Sequence, residues 1–155
     1  MKIVANNRKA FHDYHIEDKL EAGLELFGWE VKSARAGEVN LADSFVYFQL
    51  VEGSANKKVE CWLKNVHFAP YKDGRLEEQV PKRDRKLLLN RIQIDKLHTN
   101  VKAKGYTCVV TKIYFNQRGL IKAEIALAKG KHSYDKKQSL KERDIKREAE
   151  REIRR

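Results

Sequence analysis

Residues 107–128 read TCVVTKIYF-NQRG-LIKAEIALA, two β-prone runs joined at Asn116–Gly119. Successive side chains of a strand point to opposite faces. Ile121, Ala123, Ile125 and Leu127 therefore share one face, and Lys122 and Glu124 the other. Between the runs, Asn116 and Gly119 supply the turn chemistry that an antiparallel hairpin needs. A second hairpin is expected upstream. Ser44–Val51 is aromatic and β-branched, Gly53-Ser54-Ala55-Asn56 is a turn, and Lys57–Val66 alternates as the returning strand. Tyr14–Leu26, with apolar residues scattered around Ala22-Gly23, reads as a strand with an irregularity. Gly28 and Gly37 bracket one or two helical turns, with Gly37 as the stop. Residues 1–10 form a short basic arm, and Tyr71–Gln79 a polar loop between prolines. Asp84 is expected to cap a helix carrying Leu87, Leu88, Leu89, Ile92, Ile94, Leu97 and Val101, which Gly105 ends. Five or six strands and two or three helices, dominated by hairpins, predict a mainly β domain: a small antiparallel barrel with embedded helices. No internal repeat is visible.

The chain has 155 residues, enough for one domain, and a formal net charge of +11. Such a charge predicts salt-sensitive attraction to polyanions and says nothing about fold. Cys61 and Cys108 stand far apart in apolar runs without a C-x-x-C, and read as small buried hydrophobes rather than zinc ligands. His12 and His15 flank Asp13. On a strand they would face opposite ways, and no third His or Cys lies nearby, so no metal or other cofactor is expected. Met1–Phe11 is polar and basic and lacks a membrane-spanning apolar stretch, so a cytoplasmic, reducing location is expected.

Composition shifts after Ala128. Residues 129–155 hold eleven Lys/Arg and six Asp/Glu, so +5 of the +11 sits there, and their aliphatic residues are only Leu140, Ile145 and Ile153. This predicts a folded unit over 1–128 and a basic tail over 129–155 that cannot order itself by packing. Ser139-Leu140-Lys141-Glu142 fits a capping box, and no Gly or Pro follows it. A helix over 140–155 would be roughly 24 Å long. It would align Arg143, Arg147, Arg151 and Arg155 in one row, with Ile145, Ala149 and Ile153 opposite. An isolated helix of this length is marginal in water. The tail is therefore expected to be disordered when free and helical on RNA. A solvated charged helix without a partner is the bland alternative. Lys129, Lys131, Lys136 and Lys137 interleaved with Tyr134 favour RNA, because a ring can stack on a base while cations hold phosphates.

Several segments, in order and spanning nearly the whole chain, resemble the SmpB (SsrA-binding protein) family. They are Asn7-Arg8-Lys9-Ala10 with His12-Asp13-Tyr14; Glu21-Ala22-Gly23; Gly28-Trp29-Glu30-Val31-Lys32-Ser33 with Arg35-Ala36-Gly37; Arg85-Lys86-Leu87-Leu88-Leu89; Ala126-Leu127-Ala128-Lys129-Gly130-Lys131; and Tyr134-Asp135-Lys136-Lys137 with Leu140-Lys141-Glu142-Arg143. Phe11, Ala34, Asp84 and His132-Ser133 depart from the pattern. The resemblance implies an antiparallel OB-like β-barrel with embedded helices and a flexible tail. It also implies a non-enzymatic job. The family binds the tRNA-like domain of tmRNA and delivers it to stalled ribosomes for trans-translation. Elongation factor Tu joins the delivery complex, and the tail enters the empty mRNA channel near the decoding centre. A monomer when free is expected.

Candidate contacts follow. Glu30, Lys32 and Arg35 on the short helix would accept from a base and hold phosphates, or else Glu30 pairs structurally with Lys32 or Arg35. Arg85, Lys86 and Asn90 flank the leucines and would present a polar edge to the tRNA-like elbow. Arg8 and Lys9 would add phosphate contacts or merely solvate the arm. Trp29 can stack, though Trp is more often buried. In the tail, Lys129, Lys131, Tyr134, Lys136, Lys137, Arg143, Arg147 and Arg151 are the expected ribosome contacts. A general single-strand-binding barrel, and a metal-dependent nuclease built on Glu30 and Asp43, are the competing readings. No paired acidic motif supports the latter.

Overall fold

A computed structural model describes residues 1–52 and 58–131. The turn expected at 53–56 and the tail beyond Lys131 lie outside these residues. The strands are β1 (Lys2–Asn6), β2 (Tyr14–Leu24), β3 (Val39–Asn40), β4 (Phe45–Val51), β5 (Lys58–Lys64), β6 (His67–Phe68), β7 (Arg85–Leu88), β8 (Thr107–Phe115) and β9 (Ile121–Gly130). The helices are α1 (Arg8–Asp13), α2 (Gly28–Arg35) and α3 (Arg91–Lys104), with a 3₁₀ turn at Leu76–Glu78.

The β8–β9 hairpin is the centre of the fold. Phe115 pairs with Ile121 at the turn and Thr107 with Ala128 at the far end. Gly119 takes φ +75°, and the Asn116 side chain accepts from the Arg118 and Leu120 amides at 3.0 and 2.9 Å. The alternation expected over 121–127 holds, with Ala123, Ile125 and Leu127 in the core. Ala126 and Ala128 are also buried, because β9 is covered on both faces near its end. β2 lies along β9 and carries the expected irregularity, which falls between Glu17 and Lys19 where Asp18 takes φ +47°. Further along, Gly23 meets Leu88 of β7. A Cβ on Gly23 would stand 3.2 Å from that of Leu88, so a larger residue there would require β7 to shift by a few tenths of an ångström.

All pairings are antiparallel, in the order β1-β8-β9-β2-β7-β5-β4, with β3–β6 as a small second sheet. The sheet curls until β4 lies against β8, yet no backbone ladder joins them. The expected closed barrel is corrected here to an open, curled sheet among the described residues. The cause is β1. Residues 2–6, expected to be part of a short basic arm, pair with β8 and occupy the edge that β4 would need for closure.

The segment 84–90 is a second correction. Arg85–Leu88 is a strand, paired Cys61↔Leu87 and Leu63↔Arg85, and the helix begins only at Arg91. Asn90, not Asp84, is its cap: its side chain accepts from the Gln93 amide at 2.8 Å while Gln93 reaches back to the Asn90 amide at 3.2 Å. Gly105 ends α3 at φ +66°, as expected. Strand alternation splits the leucines, burying Leu87 to 1 % exposure and leaving Leu88 at 50 %. Leu87→Ala is therefore expected to cost about 2–5 kcal/mol, and Leu88→Ala roughly 0.5 kcal/mol or less. Urea unfolding of the two variants checks this, and equal losses would return the segment to a helix.

Cys61 and Cys108 are free and buried, as the sequence suggests. Burial pushes the Cys61 thiol up to about 12 and Cys108 upward as well, which keeps both protonated and inert. No helix among the described residues is long and apolar enough to cross a membrane.

Candidate nucleic-acid interface

The short helix α2 starts where Glu30 folds back to accept from the Phe27 amide at 2.8 Å. It stops at Gly37, φ +73°, where the Glu38 amide reaches the Ser33 carbonyl at 3.0 Å. Ser33 and Ala34 face the interior, and Lys32 and Arg35 face outward. The Lys32 ammonium lies 4.8 Å from the Tyr71 ring centroid. Tyr71 is fixed in turn by Gln79, which accepts from its amide at 2.6 Å and donates to its carbonyl at 3.2 Å.

Glu30 is fully buried, and so is Arg85. One Glu30 oxygen accepts from Arg85 Nε, and the other from Arg83 Nη2 at 2.5 Å. Arg85 also donates to the carbonyls of Val66, Arg83 and Pro81 at 2.7, 3.0 and 2.9 Å, and lies 4.1 Å over the Phe68 ring. Burial lowers its pKa, and the bond to Glu30 pulls the other way. The ion pair thus clips α2 to β7 and to the loop before it. The expectation that Glu30 and Arg85 touch RNA directly is corrected: with no exposed surface and with their polar atoms engaged, they position the helix. Pairing of Glu30 with Lys32 or Arg35 is not found either. Its second partner is Arg83, a residue the sequence reading missed, whose guanidinium also lies 4.3 Å over Phe27.

The remaining candidates are spread over the surface. Lys86, on the outer side of β7, bonds Glu60 at 2.7 Å, which raises its pKa. Asn90 is exposed while capping α3. Arg8 is exposed on α1, and Lys9 bonds Asp43 at 2.7 Å, an interaction that raises the Lys9 pKa and lowers that of Asp43. Lys129 is exposed with its ammonium 6.0 Å from the Tyr106 ring centroid, and Lys131 donates to the Phe11 carbonyl at 3.3 Å. Tyr134, Lys136, Lys137, Arg143, Arg147 and Arg151 lie outside the described residues. Trp29 is half-buried against the core. His12 bonds its neighbour Asp13 at 2.9 Å, and no group of three His, Cys, Asp or Glu side chains among the described residues is placed to hold a metal.

The interior ion pair of Glu30 with Arg83 and Arg85 thus lies beneath an outward pair of cations, Lys32 and Arg35. The family model described as "SmpB protein" matches residues 4–155. This chain belongs to the SmpB family. Among SmpB relatives, the SsrA-binding protein of Caldanaerobacter subterraneus subsp. tengcongensis is 50 % identical over 99 % of this chain and 91 % of its own length. That of Thermoanaerobacter pseudethanolicus is 49 % identical over 97 % and 90 %, and that of Bifidobacterium longum (strain NCC 2705) is 48 % identical over 99 % and 92 %. A solved structure described as "tmRNA-SmpB: a journey to the center of the bacterial ribosome" superposes with a TM-score of 0.64 at 43 % identity, covering 83 % of this chain and 85 % of that one. The mainly antiparallel sheet with three α-helices is thus an SmpB architecture.

Proposed function

We propose that this chain binds the tRNA-like domain of tmRNA and delivers it to stalled ribosomes for trans-translation. The observation that carries the reading is α2, pinned from inside by Glu30 and Arg85 so that Lys32 and Arg35 are held outward on a rigid element. Long cations on a rigid helix suit a folded RNA, which is recognised largely by its shape and its phosphates. The names of the relatives and of the solved neighbour support the same partner and its ribosomal setting. Lys32, Arg35, Lys86 and Asn90, with Arg8 and Lys9 from α1, are the side chains assigned to the RNA. The protein makes and breaks no covalent bond in this reading.

The finer proposal concerns the tail. Residues 129–155 act on the ribosome, where Tyr134 stacks at the decoding centre and the Arg143–Arg147–Arg151 row lies along the RNA wall of the empty mRNA channel. Elongation factor Tu accompanies the complex, which one copy of the chain enters from a monomeric, cytoplasmic pool.

Replacing Lys32, Arg35 and Lys86 together by Ala tests the body's role. The slope of log affinity against log salt for the tRNA-like domain is expected to flatten by about 2–3, close to one unit for each phosphate that is no longer neutralised. An unchanged slope and affinity would remove these residues from the interface.

A further inference from the structure

The outer face of β4, β5 and β7 carries a row of side chains that the assignments above leave mostly unused. Register places Tyr47 opposite Trp62 and Trp62 opposite Lys86, one continuous line across three strands. One step along, Phe45 stands opposite Lys64. The inward residues of the same strands, Val46, Cys61, Leu63 and Leu87, fill the core, so the alternation turns this row outward. Phe45 is 39 % and Tyr47 45 % exposed. The Lys64 ammonium lies 4.4 Å from the Tyr47 ring centroid, and the ring is exposed to solvent as well. The Trp62 indole N–H is shut off from solvent and meets no acceptor among the described residues. The indole sits between Tyr47 and Lys86 at the centre of an aromatic ledge.

We propose that this ledge is a stacking platform for unpaired nucleotides of RNA, with bases lying on Tyr47 and Trp62 and phosphates passing Lys64 and Lys86. The inference rests on the reading that the chain binds RNA and adds a second surface to it. Directly opposed residues on neighbouring strands have Cβ atoms about 5 Å apart, so two rings there offer a ledge wide enough for one or two bases. Every base has a π face, and aromatic rings interleaved with cations are what a single strand requires. The cations are half-neutralised already, Lys86 by Glu60 at 2.7 Å and Lys64 by Asp84 at 3.8 Å. Stacking must therefore carry more of the affinity here than charge does. A protein partner would be drawn to the same apolar rings. The lysines beside both rings, on a chain of net charge +11, favour the polyanion.

The test uses the full chain and three labelled probes: an oligouridylate of about a dozen nucleotides, a length suited to one small domain; an abasic ribose-phosphate strand of equal length; and the tRNA-like domain of tmRNA. Fluorescence anisotropy is read for the parent chain, Tyr47→Leu, Trp62→Leu and the milder Tyr47→Phe, each checked for unchanged folding by circular dichroism. The parent is expected to bind oligouridylate about tenfold or more tighter than the abasic strand. Tyr47→Leu and Trp62→Leu should remove most of that difference, and Tyr47→Phe should keep it. Should Trp62→Leu fail to fold, Tyr47→Leu alone decides the matter. Equal affinity of the parent for the two strands, or folded variants that keep the full preference for bases, would overturn the platform even with the tRNA-like domain still bound. Binding of none of the three probes would overturn both the platform and the proposed function.

Discussion

Glu30→Ala is expected to lower the stability of the domain by about 3–5 kcal/mol, a shift of roughly 2 M in the urea midpoint. Among the described residues, the substitution removes the only carboxylate bonded to a guanidinium that has no exposed surface. A lone buried cation is far more costly than the pair, because the desolvation of Arg85 is then offset only by carbonyl dipoles and the face of the Phe68 ring. It also takes from the Phe27 amide its acceptor at the start of α2. Removing the charge on both sides does not restore the balance. Arg85→Met in the Glu30→Ala background leaves the carbonyls of Val66, Pro81 and Arg83 without their guanidinium donor, so the double variant should recover only part of the loss. Lys32→Ala on the outer face of the same helix should move the midpoint by a few tenths of a molar at most. Affinity and stability should thus separate: Glu30→Ala is expected to weaken RNA binding by loosening α2, and Lys32→Ala to weaken it with the fold intact. A Glu30→Ala protein as stable as the parent would mean that the ion pair does not hold the helix in place.

The second large effect lies in the tail. A chain ending at Lys131 should bind the tRNA-like domain within a few-fold of the full chain, since most of its net charge and the α2–β7 face remain. Its support of peptide tagging on stalled ribosomes should fall to background. Tyr134→Ala and Ile153→Pro should act in the same direction. The first removes a ring that can stack, and the second costs a helix about 3 kcal/mol by deleting an amide donor and clashing with the preceding turn. An in vitro translation assay on a message without a stop codon gives the readout. Full tagging by Ile153→Pro would end the claim that the far tail works as a helix. Loss of tRNA-like-domain binding on truncation would move the primary RNA site into the tail.

What the sequence discloses and what it hides divide along the range of the interactions. The β8–β9 hairpin is legible because its pattern is local: alternation on one strand, Asn and Gly at the turn, and four residues between the runs. The short α2 is legible for the same reason, since glycine sits at both ends. Leu87-Leu88-Leu89 misleads because a short apolar run carries no period of its own. The strand is set by pairing with β5, some two dozen residues earlier in the chain. β1 hides in a short basic arm, because a five-residue edge strand whose partner lies more than a hundred residues away leaves only a weak pattern. The same long-range pairing decides that the sheet stays open. At the candidate interface, Glu30, Lys32 and Arg35 were identifiable as a group on a helix. The division of labour among them was not, because Arg83 and Arg85 are 53 and 55 residues away from Glu30. A buried salt bridge and an RNA contact require the same residue types, and only burial separates them.

The central claim is that the folded body reads a folded RNA. It is tested most directly by competition between the tRNA-like domain of tmRNA and a single strand of equal length and charge, at two salt concentrations. Counterion release weakens both as salt rises, whereas recognition of shape does not depend on charge count. The tRNA-like domain is expected to win by about a hundredfold or more at physiological salt, with a preference that persists at the higher concentration. Equal competition by the two RNAs, with both lost together as salt rises, would reduce the protein to a general polyanion binder.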